Sequence, residues 1–159
     1  PSYLRLGKAG EPSFHADVPE VQPGRWMRVK AGAGDVAERR VLLTTGAALT
    51  SAMEWSADPQ LADVEVHSLP LWSMASKAGQ GMQAAGIELL ATVEDHLVDG
   101  GFGSWLREAL ADDDAFAGRL LTHGLDSSVC GQVGSQAWLN RAGGLNLERI
   151  KRGLLAARR

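Results

Sequence analysis

The sequence predicts an α/β protein: a three-layer αβα arrangement with a mostly parallel sheet of about five strands and helices on both faces. Three observations carry this expectation. Short apolar or alternating runs recur between helix-like segments of about 10–12 residues, the spacing of βαβ units. Val41-Leu42-Leu43-Thr44-Thr45 is apolar and β-branched without interruption, the pattern of a strand covered on both faces. Gly46, Pro70 and the Gly100-Gly101 pair punctuate the runs where turns are needed.

At 159 residues the chain is one domain, with room for a short appendage. A chain of this length buries about 68–70% of its unfolded surface, so it needs no disulfide or metal to hold a core. The formal net charge is −3, with acidic and basic residues interspersed. That argues against a nucleic-acid surface, which is usually strongly basic. Cys130 is the single cysteine, which excludes an internal disulfide and suits a reducing compartment. No run approaches the roughly 20 apolar residues of a membrane-spanning helix, and no signal peptide opens the sequence. The expected location is the cytoplasm, without a membrane partner. Because the sequence starts at Pro1 rather than methionine, it is read as a piece of a longer protein.

Ser2-Tyr3-Leu4-Arg5-Leu6 alternates briefly and reads as a short strand. Residues 8–24 contain Pro12, Pro19 and Pro23. Proline fixes φ and pushes the preceding residue to extended geometry, so this is a linker and a boundary. Trp26–Lys30 alternates as a strand, and Gly32, Gly34 and Asp35 supply a turn. After Val41–Thr45, Gly46 turns into a helix over 47–57, where Leu49, Ala52, Met53 and Ser56 share one face. Val64–Ser68 alternates as a second inner strand. Residues 73–84 are weakly helical because of nearby glycines. Ile87–Val93 is the third inner strand, followed by the Gly100-Gly101 turn and a helix from about Ser104 to Leu110. Asp112-Asp113-Asp114 reads as a solvated turn rather than a cation site. Arg119–Thr122 is a fourth short strand, and Ser135–Arg141 a short helix. Asn146 is a good amino-cap for a last helix with Leu147, Ile150 and Leu154 buried.

Glu94, Asp95 and His96 form the densest ionisable cluster, at a strand's carboxyl end, where α/β proteins place functional groups. A carboxylate could orient a histidine there as a general base. The alternative is that Glu94 and His96 satisfy backbone groups of the glycine turn or contact another chain. That alternative is favoured, because no nucleophile sits nearby in sequence. Gly100-Gly101-Phe102-Gly103-Ser104 could cradle a phosphate at a helix amino-terminus, but it lacks the lysine and spacing of a Walker loop. Close packing of the helix on a strand or a subunit explains the glycines better. His15, His67 and His123 are scattered without metal-ligand spacing, and Cys130 has no neighbour to activate it. Trp55, Trp72, Trp105 and Trp138 suit core and interface alike.

Several segments resemble the carboxyl-terminal domain of transketolase-type thiamine diphosphate enzymes. Ala91–His96 followed by Gly100–Ser104 resembles that family's strand-turn-helix. Val41–Gly46 is similar to its first inner strand, Val64–Leu71 to its second, and Gly143–Ile150 to its closing segment. Ser2–Gly7 resembles the last strand of the preceding pyrimidine-binding domain. The resemblance implies that residues 1–24 are that strand with a linker and that residues 25–159 are the carboxyl-terminal domain.

The resemblance also implies a function. The complete enzymes are dimers that transfer two-carbon ketol units between phosphosugars. Thiamine diphosphate and a divalent metal, magnesium, lie between their first two domains. The third domain carries no catalytic, cofactor-binding or metal-binding residue and supports assembly. By resemblance, then, the partner is a second copy or the thiamine-binding domains or subunit of the same enzyme. Glu94, Asp95, His96, Gly100, Gly101, Phe102 and Ser104 are the expected interface turn. Deoxyxylulose-phosphate synthases and the beta subunits of 2-oxo acid dehydrogenases share this domain, and Asp95 with His96 leans towards transketolase. The competing expectation is a free-standing flavodoxin-like module that binds an anionic ligand at Gly100–Ser104. A hydrolase built on His96 is a distant third.

Overall fold

A computed structural model describes residues 12–34, 38–111 and 113–156. The strand expected at Ser2–Leu6, Asp35, Asp112 and the terminal Arg158-Arg159 lie outside these residues. Five strands form one sheet: β1 (Met27–Lys30), β2 (Arg40–Thr44), β3 (Glu65–Ser68), β4 (Leu89–Leu97) and β5 (Arg119–Leu125). Their order is β1-β3-β2-β4-β5, with β3, β2, β4 and β5 parallel and β1 antiparallel at the edge. The helices are α1 (Ala48–Trp55), α2 (Gln80–Ala84), α3 (Phe102–Leu110), α4 (Gln136–Ala142) and α5 (Leu147–Ala156). The α/β class with its mostly parallel, helix-covered sheet is therefore observed. No described helix is long and apolar enough to cross a membrane.

Strand periodicity divides the core into two layers. Leu42, Val66, Leu89, Ala91 and Val93 point to one face, where Ala48 and Ala52 of α1 and Ile150 and Leu154 of α5 cover them. Val41, Leu43 and Leu90 point to the other, beneath Ala84 of α2 and Phe102, Trp105, Leu106 and Leu110 of α3. The central strand β2 is buried at every position, which is why its sequence does not alternate. Helix α4 buries none of its residues, so Trp138 is a surface residue rather than core.

Chain direction across the sheet reverses at β2. The connection from β2 through α1 leads to β3, and the next one crosses back to β4. In doubly wound sheets such a reversal opens a crevice outside the carboxyl ends of the two strands, here β2 and β4.

Two boundaries differ from the sequence expectation. The third inner strand runs on to Leu97, where it still pairs with Leu125 of β5. Glu94, Asp95 and His96 therefore lie in a strand, not in a turn. Helix α3 starts at Phe102, two residues early, because Gly103 lets its first turn lie directly on the sheet. A Cβ at Gly103 would stand 2.8 Å from Thr92 Oγ1 and 2.9 Å from Thr122 Cβ. Gly103→Ala should accordingly cost about 1–3 kcal/mol through overpacking, read as a lower urea midpoint at unchanged slope; a midpoint equal to the parent's would contradict this packing.

Candidate functional site

The carboxyl edge of the sheet, around the ends of β2 and β4, is where the sequence places its candidate residues. Its centre is Glu94, 2% exposed, at the point where β4 leaves the core. The chain turns through Gly100, whose φ of 71° is unfavourable for other residues, and enters α3. The first helical amides have no partner within a helix. Here Phe102 N donates to Glu94 Oε2 at 2.6 Å and Gly103 N to Glu94 Oε1 at 2.8 Å. A carboxylate from the preceding strand thus performs the capping that Gly101, the residue at the cap position, has no side chain to perform. The negative charge faces the positive end of the helix dipole. Any Cβ at Gly101 would overlap Glu94 Oε2, so a glycine is required for the carboxylate to reach. Burial pushes the Glu94 carboxyl up, and the two amides draw it partly back.

The other candidates divide by exposure. Phe102 and Gly101 are buried, so with Glu94 they are internal to the chain. Ser104 is half-buried and its Oγ donates to Val98 O at 2.8 Å. Asp95 is half-buried and accepts from Gln136 Nε2 of α4 at 3.1 Å. His96 and Gly100 are exposed, and His96 Nδ1 lies 3.0 Å from Leu97 O. The turn surface open to a partner therefore comes from Asp95, His96, Gly100 and Ser104 rather than from all seven residues. Among the described residues neither His96 nor Glu94 hydrogen-bonds a nucleophile.

The same geometry bears on the expectation of an anionic ligand at Gly100–Ser104. The amides that would hold an anion already hold Glu94, and a second negative charge would sit against a buried carboxylate. Among the described residues no group of three or more His, Cys, Asp or Glu side chains could hold a metal ion. The resemblance places the diphosphate and the magnesium in domains other than this one.

Sequence reasoning missed what stands at the strand reversal. Trp72 lies there, its Nε1 donating to Thr45 Oγ1 at 3.1 Å just beyond β2. Its ring packs at 5.4 Å from Phe102 and 5.3 Å from Trp105. Trp105 in turn donates Nε1 to Ser73 O at 2.9 Å. A side chain of the protein itself, 36% exposed, thus stands at the end of β2 where doubly wound proteins take ligands. A tryptophan four residues past the end of a strand was the available signal. Around it Leu71 and Met74 are 44% and 74% exposed, and across the Asp95–Gln136 contact Trp138 is 43% exposed.

Elsewhere His67 Nε2 meets Glu65 Oε2 at 2.8 Å, and Arg39 Nε donates to Glu65 Oε1 at 2.7 Å. The Arg39 guanidinium holds the Glu65 carboxyl down to about 2, while burial lowers His67. This is a partly buried ion network at β3, remote from the turn. Cys130 is exposed.

No family model and no curated protein matches the chain. Among solved structures it is similar to a chain described as split gene transketolase, inactive beta4 tetramer, with a TM-score of 0.70 and 20% identity. The match covers 93% of this chain and 46% of that one, so this chain spans about half its length. The likeness shows a transketolase-like α/β fold.

Removing the clamp tests the site. Glu94→Ala leaves two buried amides without an acceptor and should destabilise by roughly 2–4 kcal/mol, with Glu94→Gln intermediate because one oxygen still accepts. Denaturant unfolding within about 0.5 kcal/mol of the parent for Glu94→Ala, the scatter of neutral surface changes, would show that the contact is incidental.

Proposed function

We propose that this chain is the carboxyl-terminal assembly domain of a transketolase-type enzyme that transfers two-carbon ketol units between phosphosugars in the cytoplasm. In this reading residues 25–159 form the domain, and residues 1–24 are the end of a pyrimidine-binding domain with its linker. Thiamine diphosphate and magnesium belong to the partner domains or subunit, and ketol transfer takes place there. This chain contributes contact surface, to a second copy or to those domains.

One observation carries the reading. The carboxyl edge of the sheet is occupied from within by Glu94 and Trp72, yet its rim leaves Leu71, Met74 and Trp138 substantially exposed. Large side chains of this kind are enriched in interface cores. An edge occupied from within, with an apolar rim, suits a protein surface better than a small molecule. The fold likeness to part of a longer transketolase chain supports the same reading.

Sedimentation of the chain alone, and mixed with the thiamine-binding domains encoded upstream or beside it, tests this. A complex burying on the order of 1,200–2,000 Å² is expected. Met74→Asp, at a side chain 74% exposed, should weaken it at least about tenfold without unfolding the chain. A chain that stays monomeric and associates with neither partner would refute the assembly role.

A further inference from the structure

His123 is the buried titratable group that the assembly role leaves unused. It lies on β5 opposite Val93, 8% exposed, and both ring nitrogens lack a hydrogen-bond partner. A neutral imidazole carries one donor and one acceptor, and leaving them unpaired inside a protein is already costly. The ring faces the layer built from Leu121, Leu125, Ile150 and Leu154. Helix α5 passes so close that a Cβ at Gly153 would stand 3.4 Å from His123 Nε2 and 3.0 Å from Leu121 Cδ1. On β4 the residue opposite is apolar Val93, and from α5 come Gly153 and the field of Arg149; among the described residues Arg149 is the charge that bears on the ring. The other titratable groups of α5 face elsewhere: Lys151 is paired with Asp58, and Glu148 and Arg152 are exposed.

We propose that His123 is an acid-sensitive latch for α5, so that protonation of its imidazole releases Leu147–Ala156 from the sheet while the central strands stay paired. The latch is independent of the assembly reading. Among the described residues an imidazolium here has no acceptor and no counter-charge, and Arg149 is a second cation nearby. The element that can move to give it water is α5, because the other cover of the ring is sheet. Burial, with Arg149 adding to it, lowers the group from its ordinary 6.5 to about 4. A lowered value means the folded state binds fewer protons than the opened one between these limits. Closure of α5 is therefore fully favourable above about pH 6.5 and weakens as pH falls towards 4.

Amide hydrogen exchange of the full chain reads this directly. After correction for intrinsic rates, protection of α5 should fall roughly 20-fold between pH 7 and pH 5, while β2 and β4 hold theirs. His123→Leu should abolish the fall, and Arg149→Gln should reduce it. If His123→Leu fails to fold, the parent and Arg149→Gln still decide. A fall that persists in His123→Leu, one undiminished in Arg149→Gln, equal losses in α5 and the central strands, or no fall at all overturns the latch.

Discussion

The amino end of α3 must be neutralised inside the protein, and the carboxylate of Glu94 does it. Phe102 and Gly103 donate to its two oxygens, which joins the end of β4 to the start of the next helix. Much else follows from that contact. Gly101 must lack a side chain for the carboxylate to reach, and Gly103 must lack one for the helix to lie on Thr92 and Thr122. Phe102 then enters the core and, with Trp105, forms the platform on which Trp72 packs. The same solution recurs at other helix ends with the signs the helix dipole demands. Asp113 accepts from Gly81 N at the start of α2, while Lys30 Nζ donates to Ser56 O at the end of α1. Buried Arg40 donates to Leu154 O near the end of α5 and pairs with Asp63. These charges hold layers together.

The strands and their order of appearance were legible in the sequence because hydrophobic periodicity reports burial directly. Val41–Thr45 read as a two-faced strand and is one; the antiparallel edge strand β1 was visible in the alternation of Trp26–Lys30. What the sequence obscured depends on contacts between distant residues. Glu94-Asp95-His96 looked like a turn because charge interrupts an apolar run, whereas the strand runs on to Leu97, with an irregularity in its pairing between Val93 and Leu97. The Asp112–Asp114 run looked like solvated turn, but Asp113 also caps α2 from 32 positions away. Trp72 offered only its place four residues past a strand end as a sign of its position at the strand reversal. The resemblance named a transketolase-type carboxyl-terminal domain, and the fold likeness agrees with it as far as a transketolase-like α/β fold.

The candidate site was legible in composition but not in role. Seven residues were singled out, and they do cluster at the carboxyl edge of the sheet. Glu94, Gly101 and Phe102 build the turn from inside, and the remaining residues face outward to differing degrees. A carboxylate beside a histidine suggests catalysis only until its hydrogen bonds are counted. Both Glu94 oxygens are engaged by backbone, and Trp72 stands at the neighbouring end of β2. Beside the polar residues of the turn Leu71, Met74 and Trp138 are exposed, which is the physical basis for reading the edge as a contact between protein parts.

The central claim is that Glu94 closes the amino end of α3 to any external anion. Titrating the chain with pyrophosphate while following the backbone amide resonances of Phe102 and Gly103 tests it most directly. The account predicts that both resonances stay in place, because their protons already point at a carboxylate. A saturable shift of both, with a Kd below roughly 10 μM (about −7 kcal/mol), would mean that the anion displaces Glu94 and that the turn is a binding site after all.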